Sequence, residues 1–221
     1  EVLDQLSLTI AEFEGAGDVN AGSVSVTGAW TLDGFNSVVS GGGDIGETSG
    51  FAAADVDVTT GGSLQLGGLT SLRGSSRIRG DSTGMLTVTG QLLRTQANSI
   101  NEPASIFGIG LLVEGGSVAV NEGVLQANGT TSTFQNATLS ASDDATLQLL
   151  GTGTFQSTDF NVQTGGQIEI LGPFEVVDQI TSSGDGSPNS RVAVLSGGRV
   201  QGGTLTGDAN TPFQIRGGAL G

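Results

Sequence analysis

The chain has 221 residues, a length that one all-β domain can occupy, with 39 Gly, 47 Ser plus Thr, 22 Asp plus Glu and 7 Arg, and no Lys, His, Cys or Tyr. A formal net charge of −15 argues against nucleic acid and anionic lipid as partners, because both are held by Lys and Arg. Without His or Lys there is no imidazole base, no Ser-His-Asp or Cys-His triad, no Schiff-base lysine and no P-loop, and without Cys there is no disulfide framework.

Gly and Ser/Thr in such numbers would point to disorder if apolar residues were scarce, but hydrophobic residues make up 36% of the chain. No apolar run reaches the length of about 18 residues that a membrane helix needs. The chain opens on Glu1 rather than Met, which reads as a processed chain or a piece of a longer one.

The first periodic segment is ambiguous. Leu3, Leu6, Ile10 and Phe13 have helical spacing, whereas Leu6, Leu8 and Ile10 alternate as in a strand, and the strand is the preferred reading. Alternating apolar pairs next to Gly then recur: Val24-Ser25-Val26, Val56-Asp57-Val58, Leu64-Gln65-Leu66, Leu86-Thr87-Val88 and Val118-Ala119-Val120. Leu147-Gln148-Leu149, Ile168-Glu169-Ile170, Val192-Ala193-Val194 and Phe213-Gln214-Ile215 continue the series. Each puts two apolar side chains on one face of a strand and a third residue, polar except at Ala119 and Ala193, on the other. The rhythm loosens over Ser40–Asp55 and over Gln91–Glu102, before Pro103 and the apolar run Ile106–Val113; both read as loops or long turns inside a single domain, residues 1–221.

The spacing between the pairs carries the architecture. Leu64 to Leu86 is 22 residues; Leu147 to Ile168 is 21, with 24 more to Val192 and 21 more to Phe213. Phe134, Phe155 and Phe174 repeat at 21 and 19. A helix-free period in the low twenties predicts a solenoid with three short strands and three turns per coil, like residues stacking in columns about 4.8 Å apart. The expected fold is all-β, a right-handed parallel β-helix of about ten coils and about 50 Å in length. An antiparallel sandwich would instead show turn signals every 8–12 residues and no longer-period ladders.

The stretch Leu112–Leu171, with the phrases GGSVAVNEGVLQANG, ATLSASDDATLQLLGTGTF and FNVQTGGQIEILGPFEV, resembles the degenerate repeats of bacterial cell-surface β-helix proteins of the adhesin and autotransporter-passenger type. Val24–Leu66 and Arg191–Gly218 echo the same phrase. The resemblance implies an extracellular or cell-surface spacer, stalk or filament unit, adhesive in some members, with no shared catalytic residues to carry over.

Sugar hydrolysis needs two carboxyl groups about 5–9.5 Å apart. Asp143-Asp144 is the only adjacent acidic pair and reads as a water-facing turn, while Asp55 and Asp57 read as the solvated side of a strand. Arg77 and Arg79 could serve a lyase, but flanking Ile78 they read as outward arginines. The candidate metal ligands, for calcium, are Asp44 and Glu47 in the Gly-rich turn 41–47, and Asp143 and Asp144; the turn lacks the nonapeptide register and no EF-hand loop is present. Arg79-Gly80-Asp81 is an integrin-type tripeptide, and Asn128-Gly129-Thr130 and Asn136-Ala137-Thr138 are glycosylation sequons. Thr87-Val88-Thr89 and Thr204-Leu205-Thr206 are too few for an ice-binding array, and Trp30 is the single Trp in a chain poor in sugar-stacking rings.

No capping helix follows Arg199, so the expectation is end-to-end self-association or continuation into further coils. The functional expectation is a non-catalytic structural solenoid without cofactor; the alternatives are a polysaccharide-binding or carbohydrate-active β-helix and a calcium-dependent adhesion unit.

Overall fold

A computed structural model describes residues 2–14, 18–34, 36–46, 54–95, 103–211 and 213–221. It is all-β and built as a parallel β-solenoid, the architecture of β-helix repeat proteins. Two long strands come first, β1 (Val2–Glu14) and β2 (Asp18–Asp33). Short strands follow: β3 (Asn36–Val39), β4 (Gly42–Ile45), β5 (Asp55–Thr59), β6 (Ser63–Leu66), β7 (Leu69–Arg73), β8 (Arg77–Gly80), β9 (Met85–Val88), β10 (Gln91–Thr95) and β11 (Ala104–Phe107). The middle coils contain β12 (Gly110–Glu114), β13 (Ser117–Val120), β14 (Val124–Asn128), β15 (Ser132–Gln135), β16 (Thr138–Ala141), β17 (Thr146–Leu149), β18 (Gly153–Gln156), β19 (Thr158–Val162) and β20 (Gln167–Ile170). The last are β21 (Pro173–Val176), β22 (Gln179–Gly184), β23 (Arg191–Leu195), β24 (Arg199–Gln201), β25 (Thr204–Gly207), β26 (Phe213–Arg216) and β27 (Ala219–Leu220).

From β3 onward each strand pairs with the strand three ahead of it, so three parallel ladders run the length of the molecule. The first face carries β3, β6, β9 and so on to β27, the second β4 to β25, the third β5 to β26. β2 covers all three faces alone: Asp18–Ala21 pairs with β3, Val24–Val26 with β4 and Ala29–Asp33 with β5. The solenoid has about eight turns of three short strands, fewer than the about ten that chain length divided by period gives, because the first two passes are continuous strands.

The spacings read from sequence are the ladder registers. Leu64 pairs with Leu86, Leu147 with Ile168, Ile168 with Val192 and Val192 with Phe213. Apolar partners in successive coils form buried columns, one of them Trp30–Val56–Ile78–Ile106–Ala127–Leu149–Ile170–Val194. Stacking excludes water from both flanks of each residue, and burying one such side chain is worth about 1.5–3 kcal/mol.

The Phe series departs from the expected register at its last member. Phe134 pairs with Phe155, their ring centroids 5.4 Å apart. Phe174 pairs instead with Gly153, two residues upstream. Its ring still stacks on Phe155 at 4.7 Å because nothing stands on Gly153: a Cβ there would lie 2.9 Å from the Phe174 ring and 2.0 Å from the Ser132 carbonyl oxygen.

Both segments read as loops contain strands. Gly42–Ile45 is β4, where chain passes so close to chain that a Cβ on Gly43 would sit 1.9 Å from the Val24 carbonyl oxygen. Gln91–Thr95 is β10, and the run Ile106–Val113 supplies β11 and β12. The N-terminal segment is a strand, as its alternation predicted.

Candidate functional site

The outward residues include an ion-pair patch, a polar ladder, a row of turn-closing aspartates and a groove. In the patch, Asp55 and Asp57 on β5 stand in register with Arg77 and Arg79 on β8. Arg77 holds Asp55 through two hydrogen bonds, at 2.8 and 2.7 Å, and Arg79 holds Asp57 in the same bidentate manner. The carboxylates raise the pKa of both guanidinium groups. Ile78 between them is buried. The arginines are therefore committed to neighbouring carboxylates in a geometry suited to cohesion between coils. The pairing was readable in sequence: Asp-Val-Asp and Arg-Ile-Arg are separated by the same 22 residues as the apolar pairs.

A polar ladder continues on the third face, where Gln126 donates to Gln148 at 3.0 Å, Gln148 to Glu169 at 3.0 Å and Arg191 to Glu169 at 3.2 Å. Sequence reading also missed Arg94, which β10 directs into an inner column between Leu72 and Val120. It is fully buried, donates to the carbonyl oxygens of Thr95 and Leu72, and has its pKa lowered by burial.

The turn aspartates share one device. Asp81 accepts hydrogen bonds from the Thr83 hydroxyl and amide and the Gly84 amide within its own turn, and from the Thr60 amide one coil below. Asp185 accepts from the Ser187 amide and hydroxyl and the Ser190 hydroxyl, and from Thr164 one coil below. Asp208 accepts from the amides of Asn210 and Thr211, and from Gly184 below. Thr60 and Thr164 have φ of 52° and 50°, left-handed conformations in which the amide can point at the carboxylate above. Hydrogen bonds to the charged form lower the pKa to about 2 at both Asp81, led by the Thr83 hydroxyl, and Asp185, led by the Ser187 amide. The Arg79-Gly80-Asp81 tripeptide thus has both charged ends engaged within the molecule.

The sequence-predicted metal ligands do not converge. Asp44 on β4 is paired with Arg73 on β7 at 2.7 Å. Asp143 and Asp144 form an exposed turn with φ of 55° and 60°, four rungs along the second face from β4. Glu47 lies outside the described residues. Among the described residues no three Asp, Glu, His or Cys side chains gather as a metal site. The sequon residues Asn128 and Asn136 are exposed. Trp30 is fully buried, so its ring offers no stacking platform.

A shallow groove of about 370 Å³ runs across β18, β21 and β24 on the first face and reaches Thr131, just before β15. Thr131, Thr152, Thr154, Glu175, Arg199 and Gln201 line it, with the buried Phe174 beneath. Glu175 is its one carboxylate, so the two-carboxylate arrangement of sugar hydrolysis is not assembled there. Among the described residues no helix is long and apolar enough to cross a membrane. No family model, curated protein or solved structure matches the chain.

Proposed function

We propose that this chain is a structural, non-catalytic solenoid of an extracellular or cell-surface protein: a stiff acidic spacer, stalk or filament unit on which adhesive segments can be displayed. The observation that carries the reading is the ladder itself, parallel through β27, with outward side chains of neighbouring coils paired to one another on its third face. Each coil is held by the two beside it, so bending the rod breaks backbone hydrogen bonds and stacked contacts together. An exterior rich in carboxylates opposes lateral clumping. The adhesin and autotransporter-passenger resemblance agrees with this role and supports the cell-surface location.

Small-angle scattering of the 221-residue chain tests the reading: one stiff particle about 45 Å long is expected, from about 4.8 Å per rung, and a flexible profile would refute it. The groove favours a second reading, a polysaccharide-binding surface, since its threonines, glutamate, arginine and glutamine are all hydroxyl partners. Titration with neutral and acidic polysaccharides separates the two. Saturable binding abolished by Arg199→Ala would replace the spacer with the polysaccharide-binding module.

A further inference from the structure

We propose that the uncharged stretch of the first face, from β3 to β15, is a docking surface for a neutral, hydroxyl-rich polysaccharide lying along the solenoid axis, so that the rod has one adhesive side. This rests on the rod reading and adds a ligand class and a place for it. The surface adjoins the groove and is centred on β6 and β9, two or more rungs away from it.

The charge of the molecule is distributed unevenly among its faces. The first-face strands β3, β6, β9, β12 and β15 read NSVV, SLQL, MLTV, GLLVE and STFQ, and their one charged side chain is Glu114, at the end of β12. The same rungs carry the Asp44–Arg73 pair on the second face and the Asp55–Arg77 and Asp57–Arg79 pairs on the third. Along the first face one outward column is continuous: Val38 pairs with Gln65, Gln65 with Thr87, Thr87 with Leu112 and Leu112 with Thr133. Each points away from the core, as Gln65 does between the buried Leu64 and Leu66, and each is half-buried at the surface. Beside this column Met85, 41% exposed, lies across Gly110 of the next rung, where a Cβ would come within 2.9 Å of its terminal methyl.

Such a surface matches the two-sided chemistry of a sugar ring. Met85 and Leu112 offer apolar ground for its C–H faces, and the Gln65 amide and the Thr87 and Thr133 hydroxyls offer donors and acceptors for its hydroxyls. On the third face the outward glutamines are bonded to one another at 3.0 Å; here the Thr133 and Thr154 hydroxyls lie 3.5 Å apart, too far for a strong bond, which leaves their capacity to an outside partner. Charge and area select the occupant. With 22 acidic residues against 7 arginines, the molecule as a whole repels a carboxylated or sulfated polymer, whereas a neutral one meets a single carboxylate at the border of the face. From β3 to β15 the face is about 19 Å long and about 13 Å wide, and the resulting area of about 250 Å² is well short of the about 800 Å² per partner that a stable protein complex buries. A linear polymer needs only such a strip.

Affinity electrophoresis of the 221-residue chain in gels containing hydroxyethyl cellulose, galactomannan, dextran or polygalacturonate tests the proposal. Retardation by at least one of the three neutral polymers, and none by polygalacturonate, is expected. Gln65→Glu and Thr87→Glu should each weaken that binding about tenfold or more, because a carboxylate there must be stripped of water against the polymer. Gln179→Glu, the same change at an exposed position on the second face, should bind as the parent chain does, and circular dichroism checks that every variant keeps its strand signal. No retardation by any neutral polymer, or retardation by polygalacturonate that equals or exceeds it, would overturn the proposal. So would binding that Arg199→Ala abolishes and the Gln65 and Thr87 variants keep, since the polymer would then lie in the groove. A chain that scatters as a stiff rod and binds none of the polymers would leave the spacer reading standing.

Discussion

The carboxylates of Asp81 and Asp185 each close their own turn and hold the turn below. Folding lowers both from 3.8 to about 2. A depressed carboxyl pKa stabilises the fold fully above its unfolded value, and that contribution is lost as pH falls through the folded value. The stability these two carboxylates supply should therefore be constant above about pH 5 and be lost between about pH 4 and 2. In Asp185→Asn that decline should be shallower, from a lower plateau, which thermal melts by circular dichroism across pH would show; an unchanged slope would mean the carboxylate is not coupled to folding. Phe155, stacked between Phe134 and Phe174, is a pure packing counterpart. Phe155→Ala should cost about 3–5 kcal/mol at every pH, read by chemical denaturation. The Phe134–Phe155 register was legible from spacing, because equal period means equal column. Phe174 was not: its ring is placed by the missing side chain of Gly153, a contact one coil away that no local pattern encodes.

Individual strands are weak and the ladder is strong, which decides what substitutions in β5 and β8 should do. The Arg77–Asp55 pair is half-exposed and screened, so Arg77→Ala should cost less than about 1 kcal/mol. Ile78→Ala, between the two arginines but facing the core, should cost about 2–5 kcal/mol. Equilibrium unfolding of the two variants side by side checks the ordering; an arginine loss as large as the isoleucine loss would show that the ion pairs, and not the columns, hold the coils together. The same division explains which elements sequence could reveal. β5, β6, β9, β17, β20 and β23 announce themselves by inward apolar pairs, since a half-buried strand needs that alternation. β4 reads Gly-Gly-Asp-Ile and has one apolar side chain to bury; it is a strand because its backbone is templated by β2 and β7 on either side. β10 was obscured by Arg94, whose inward placement breaks the polar-out rule that the reading relied on.

Across the whole molecule, 22 acidic residues face 7 arginines, and the rung spacing of about 4.8 Å stacks like charges along the turns that carry Glu122, Asp143, Asp144, Asp185 and Asp208. Two electrostatic effects then oppose each other as salt is added. Screening weakens the arginine pairs of Asp44, Asp55, Asp57 and Glu169, and it also relieves repulsion among the remaining carboxylates. The pairs are half-exposed contacts that each contribute little, so screening them costs little, whereas the repulsion acts over many coils and is cut as the screening length shortens from about 30 Å at 10 mM to about 3 Å at 1 M. Relief should win. The melting temperature should rise with sodium chloride over that range, and calcium at equal ionic strength should add nothing that a chelator removes. A melting temperature that fell with salt would place the ion pairs above the net charge in the balance. A calcium-specific rise reversed by chelation would mean that the turn carboxylates gather round a cation.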